Sequence, residues 1–207
     1  MNASKERSTR YLNLRLDRPS RALLVVAGLL IGAACFLPIW KIDVVTASDS
    51  GRLGLSLYAN RVEVAGGPEE GVELRRDESP DSRWLPFVLG GLALLLLRGA
   101  AIGTGRSLVD LSALFAYLTA FSAWSYAGRL DFYGRYLSAA TPEGVAIFVP
   151  PLVGHARFEG LDVSSLPAAG AFAIAAAGLA IAWSLIVSWK RSRSAAADEV
   201  RMPAWAS

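Results

Sequence analysis

Side chains that bind metals or form disulfides are scarce in this 207-residue sequence, which has one cysteine, one histidine and two methionines. A single cysteine, Cys35, excludes an intrachain disulfide and any CxxC or CxxCH motif. With His155 as the lone histidine, a His/Cys metal centre would have to borrow ligands from another chain. The carboxylates Asp131, Glu143, Glu159 and Asp162 show no metal-ligand spacing. There is no GxSxG, and any triad would depend on that one histidine. The glycine-rich GTGRS, Gly103 to Ser107, joins two apolar runs with no strand before it, so it does not read as a phosphate loop. The expectation is a chain with no catalytic residues, no metal and no cofactor.

Apolar sequence is plentiful. Hydrophobic residues make up 53% of the chain, and the charged ones gather in the termini and two interior segments. That layout is typical of an integral membrane protein. Four runs approach the ~20 residues needed to cross a ~30 Å hydrocarbon core. They are placed at 22–40, 84–104, 108–127 and 166–189. Trp40, Trp84, Trp124 and Trp189 lie near the expected ends, as an interfacial aromatic belt would. The first run follows a polar stretch and has no small-x-small cleavage pattern after it, so it is expected to be retained.

Lysine and arginine placement orients the spans. Bases crowd the tails at 1–21 and 190–207, and Arg98 and Arg106 flank the short second connection. These three regions are expected to be cytoplasmic, with both termini inside a bacterial inner membrane. Segments 41–83 and 128–165 then face out, the first with nine acids against six bases. The net charge of +3 is explained by helix ends rather than by a basic, aromatic-laced face, so nucleic acid is not an expected partner.

The exterior segments carry a different period. KIDVVTA alternates like a strand, SDSGR reads as a turn, and Leu53, Leu55 and Leu57 resume the alternation. A small β-meander is expected, packed on segment 128–165 because a lone hairpin is marginal in water. Leu53, Leu55 and Leu57 are expected to be buried with some of Ile147, Val149 and Leu152. The fold class is therefore a membrane all-α four-helix bundle with a small extracytoplasmic β-rich cap.

The ordered matches LPIWKIDV, GLSLY, WLPFVLG, DFY and VAIFVPPLVG resemble a poorly characterised family of four-span bacterial membrane proteins. Members are often encoded beside nitrous oxide reductase maturation and copper-handling genes. The resemblance implies the same topology and an exterior cap that includes Trp40, Asp131, Phe132, Tyr133, Pro150 and Pro151. It also implies a role in copper delivery or nitrous oxide reductase maturation. Where the family's first outer segment typically continues Pro-Gln-Tyr-Pro-Glu-Gly, this chain reads SDSGRLG.

Two charges intrude on the spans, Arg98 and Asp110. They read either as an ion relay or, because both lie near helix ends, as interfacial residues with Arg98 snorkelling and pairing with Asp110. No charge falls at a predicted midplane. Small residues offer close helix approach at Gly28-x-x-x-Gly32, along Ser112, Ala116 and Ala120, and at Gly170 and Gly178. Such faces serve packing within the bundle or against a partner subunit. The expected role is a non-enzymatic accessory or structural subunit, whose partners are the lipid bilayer and other integral membrane subunits of a larger bioenergetic complex.

Overall fold

The computed structural model describes residues 15–46, 52–65, 84–140, 149–158 and 161–201. Four helices and five strands alternate in blocks along them. Helix α1 is Arg18–Ala34, strands β1 to β3 are Trp40–Thr46, Arg52–Leu57 and Val62–Ala65, α2 is Leu85–Ile102 and α3 is Gly105–Ala140. Strands β4 and β5 are Gly154–Phe158 and Leu161–Pro167, and α4 is Ala169–Arg201.

Three helices are long and apolar enough to cross a membrane: Leu85–Ile102, Gly105–Gly128 within α3, and Ala169–Arg191 within α4. Large apolar side chains stand exposed on them, including Phe87 (73%), Leu94 (68%), Trp124 (81%), Phe172 (64%) and Leu179 (73%). Water-soluble proteins rarely leave so much contiguous apolar surface uncovered. A lipid solvent removes the penalty, and the chain is a membrane protein on this ground.

Several element ends differ from the sequence reading. The first apolar run does not stay helical to Trp40. Helix α1 stops at Ala34, four residues before Pro38, and Trp40 opens β1. A proline biases the residue before it away from helix, which makes Pro38 a natural boundary. Helix α3 continues well past Ala127 to Ala140, so the first part of segment 128–165 is a continuation of the third helix. At the fourth run, Leu166 and Pro167 belong to β5, and the helix starts at Ala169.

The described residues form two compact units. The first covers ranges Met1–Leu30, Gly91–Ala116 and Ala176–Ser207. Its buried side chains are small or aliphatic: Leu24, Ala27, Leu92, Leu96, Leu108, Leu111, Ala177 and Ile181. Glycines mark the closest approaches. A Cβ on Gly28 of α1 would meet Leu97 Cγ at 3.1 Å and the Ala93 carbonyl at 3.2 Å, both on α2. One on Gly99 of α2 would meet Leu111 of α3 at 2.6 Å, and one on Gly178 of α4 would meet the Phe115 ring of α3 at 2.9 Å. Between α1 and α4 the contact is polar. Ser20 Oγ donates to the Ser184 carbonyl at 3.5 Å, and Ser184 Oγ returns a bond to the Ser20 carbonyl at 3.3 Å. Both serines are fully buried. Such bonds are worth ~0.6–2 kcal/mol in a membrane setting.

The second unit covers Ile31–Gly90 and Tyr117–Ala175 and contains one antiparallel sheet in the order β3-β2-β1-β5-β4. Segments 41–83 and 128–165 thus meet strand to strand, through β1 and β5, which pair from Trp40↔Pro167 to Thr46↔Leu161. Period-two alternation sorts the faces. One face buries Ile42, Val44, Leu53, Leu55, Leu57, Val62, Val64 and Val163, with Trp40, Tyr126 and Phe158 packed against them. The three leucines are buried as expected, but their partners differ. Val149 and Leu152 are 50% and 49% exposed, and Ile147 lies outside the described residues. The leucines are instead buried with Ile42, Val44, Val62, Val64 and Val163. The opposite face carries Lys41, Asp43, Ser56 and Glu63.

Leu55 is 1% exposed, paired with Ile42 on one side and Val64 on the other. Leu55→Asp loses ~1.5–3 kcal/mol of burial and adds the cost of an unpaired buried charge. Limited proteolysis of the purified protein should then cut the sheet segments much faster. Unchanged cleavage would mean that this apolar face does not hold the sheet.

Candidate functional site

The sheet's apolar face contains one polar node. Ser165 on β5 is fully buried opposite Ile42 on β1 and Gly154 on β4. Its register puts it on the inner face, one step along from Val163. Trp40 Nε1 donates to Ser165 Oγ at 2.8 Å, and Tyr126 Oη lies 3.4 Å from the same oxygen. Ser165 Oγ in turn reaches the Leu152 carbonyl at 3.5 Å. A serine hydroxyl has one proton and two lone pairs, so donation to Leu152 leaves room to accept from both aromatic groups. The Trp40 and Tyr126 rings pack at a tilt of 42°, their centroids 4.8 Å apart. One hydroxyl therefore joins β1, β5, α3 and the segment ahead of β4. Gly154, with φ of +110°, supplies the left-handed turn into β4.

Beside this node the backbone closes tightly. The Gly170 N–H donates to the Pro38 carbonyl at 2.8 Å, and the Ala168 N–H to the Ile39 carbonyl at 3.0 Å. A Cβ on Gly170 would lie 2.9 Å from the Pro38 oxygen and 3.0 Å from the Leu37 oxygen. Both are backbone atoms, which cannot yield as a flexible side chain can.

The other expected packing residues divide. Gly28, Gly170 and Gly178 sit at close contacts between elements, whereas Gly32 faces open space. Ser112 Oγ donates to the Leu108 carbonyl of its own helix at 2.7 Å. Ala116 and Ala120 are exposed. Arg98 and Asp110 are also exposed, and among the described residues no ion pair joins them. Pro150 is buried and Pro151 half-buried. Asp131, Phe132 and Tyr133 fall within α3, and their side chains lie outside the described residues. So do Glu143 and Glu159.

The ion pairs on the sheet are peripheral. The Arg157 guanidinium bonded to Asp162 at 2.6 Å holds that carboxyl below its ordinary value. The hydrogen bond from Arg61 does the same for Glu63, while Arg61 also lies 4.3 Å over the Tyr58 ring. His155 is exposed on edge strand β4, opposite Ser164. Among the described residues, no group of three or more His, Cys, Asp or Glu is placed to hold a metal ion.

Sequence reasoning missed Ser165, Tyr126, Ser20 and Ser184. The alternation of Val163 and Ser165 within LDVSSLP was a usable signal for β5. Serines inside apolar helices also mark interhelical bonds in membranes. No family model and no curated protein matches the sequence. The arrangement offers shape and hydrogen-bonded rigidity, with an exposed apolar rim at Val149, Leu152, Val153 and Leu166.

Ser165→Ala would strand the Trp40 indole N–H, at a cost of ~1–3 kcal/mol. Trp40→Phe in the same background removes the stranded donor. The double variant should therefore lose less stability than the sum of the two single ones, by ~0.5 kcal/mol or more in a thermal-unfolding cycle. Strict additivity would show that the bond carries no coupling.

Proposed function

We propose that the chain is a non-enzymatic, four-span subunit of a larger bacterial inner-membrane assembly, acting through helix packing and an exterior sheet that docks a partner. The observation that carries this reading is the bareness of α3. Within Gly105–Gly128 only 11% of its most apolar 18 residues are buried, against 33% for Leu85–Ile102. Its exposed residues include Ala113, Ala116, Ala120, Ala123 and Ala127, spaced three and four apart. That spacing keeps small side chains on one stripe, and small stripes let helices approach closely in lipid. Lipid alone does not require such a stripe, whereas a partner helix uses it.

In this reading α1 is the fourth span. Its 17 residues rise ~25 Å, and the apolar Phe36 and Leu37 extend the reach. The ring of contacts α1–α2, α2–α3, α3–α4 and α4–α1 supports a bundle. The exposed rim of Val149, Leu152 and Val153 beside edge strand β4 supports docking of the sheet. The alternative implied by the family resemblance is a copper-delivery or nitrous oxide reductase maturation factor, and its marker would be tight copper at His155.

Topology is tested by external thiol labelling of intact cells carrying a Cys35→Ser background. A cysteine replacing Ser50 should react and one replacing Ser194 should not. Labelling at Ser194 would sink the four-span topology.

Function is tested at native expression in mild detergent. The chain should travel with a larger complex, and Ala116→Leu with Ala120→Leu should release it while thermal stability stays unchanged. A chain that migrates alone would defeat the subunit reading. Stoichiometric copper in equilibrium dialysis, lost in His155→Ala, would favour the alternative.

A further inference from the structure

One end of the first unit gathers positive charge. The Leu16 N–H donates to the Gly103 carbonyl at 3.2 Å, and Arg15 bridges to Thr104. The lead into α1 therefore lies against the turn between α2 and α3. Arg191 Nη1 stands 3.1 Å from Asp17 Oδ2, which brings α4 to the same level. Across 15–21, 98–110 and 190–191, seven cations face two carboxylates. Arg21 and Arg191 are engaged, the first through Nε to the Leu16 carbonyl at 2.9 Å and the second with Asp17. Arg15, Arg18, Arg98, Arg106 and Lys190 are exposed and make no ion pair among the described residues.

Apolar surface continues directly from these cations. Ile102 lies between Arg98 and Arg106 and is 71% exposed, while Trp189, next to Lys190, is 53% exposed. A free anion would use the charges and leave that apolar surface bare. A molecule with an anionic head and acyl chains satisfies both. The charges sit at the ends of the apolar runs, which is headgroup depth in a bilayer.

We propose that this end, formed by Arg15, Arg18, Arg98, Arg106 and Lys190, binds the headgroups of anionic phospholipids. The inference rests on the membrane reading but not on which side of the membrane this end faces. Exposed arginines keep long side chains that can rise to a phosphate while their stems lie along acyl chains. Arg98, one turn inside the end of α2, is placed to do this.

The test uses the full chain in nanodiscs of phosphatidylcholine with and without phosphatidylglycerol, read by lipid retention after detergent extraction. The wild type should retain phosphatidylglycerol preferentially, and the preference should shrink in 1 M salt, where the Debye length is ~3 Å. The triple variant Arg15→Gln, Arg18→Gln, Arg106→Gln should lose roughly 100-fold in preference, about fivefold per charge. Lysine at the same three positions should restore most of it, which separates lost charge from lost folding. Removing equal charge from the sheet with Lys41→Gln, Arg61→Gln and Arg157→Gln should change nothing.

Equal retention of both lipids by the wild type would overturn the proposal, as would an unchanged preference in the triple variant. Displacement of the lipid by equimolar inorganic phosphate or poly-glutamate would overturn it too. Labelling of Ser194 from outside with lipid preference intact would move the surface to the other leaflet. The topology would then fall while this proposal stood.

Discussion

The ladder between β1 and β5 is the contact on which the rest of the second unit depends. These strands are more than 110 residues apart in sequence and pair over seven positions. Each continues into a helix, β1 back through Pro38 into α1 and β5 forward through Ala168 into α4. The backbone bonds from Ala168 to Ile39 and from Gly170 to Pro38 carry the ladder beyond the strands. All the intervening chain, including α2 and α3, must be accommodated before these strands meet. Such non-local pairing is slow to form and gains nothing until the loop is closed. Gly170 is a tight point beside this ladder, because any side chain there pushes on the Pro38 and Leu37 carbonyls.

The two units are held by different forces. The sheet buries eight aliphatic side chains against one another, and Tyr126 of α3 covers part of that face. Outside lipid, this burial is worth ~25 cal/mol per Å2 of apolar area. Helix association in lipid gains little from apolar burial, because acyl chains are as apolar as leucine. Close approach takes its place, which is why Gly28, Gly99 and Gly178 stand where α1, α2, α3 and α4 touch. The reciprocal Ser20–Ser184 bonds serve the same end. A buried hydroxyl must find a partner, and here each finds the other's carbonyl.

The parts legible in the sequence were those governed by local period. Runs rich in leucine and alanine announced the long helices, and alternation announced β1 and β2 together with the buried Leu53, Leu55 and Leu57. Properties set by distant partners were not legible. β5 reads LDVSSLP: the alternation of Val163 and Ser165 hints at a strand, but its place between β1 and β4 in the sheet is set by those partners. Trp40 looked like an interfacial anchor at a helix end, and nothing nearby hinted that its indole would find Ser165 across 125 residues. The extension of α3 into 128–140 was missed, because the charges and glycines of GRLDFYGRY interrupt the apolar run and the span was ended at Ala127. Gly32 illustrates the converse. GxxxG spacing marks a helix face able to pack, but whether a neighbour sits on it is settled by the other helices.

Exposure along α3 separates what lipid explains from what it does not. Tyr117 and Phe121 stack at 6.3 Å, and Trp124 is 81% exposed. Aromatic and aliphatic bulk facing outward suits acyl chains, and a helix bathed only in lipid has no reason to interrupt that bulk with a regular alanine stripe. Alanine loses no side-chain entropy on packing, so a stripe of it can be covered at little cost. The flanking aromatic residues would then fill the grooves of a covering helix and fix its register. Recognition of that kind needs shape and spacing rather than reactive groups. A chain with one histidine and one cysteine is not barred from recognition of that kind.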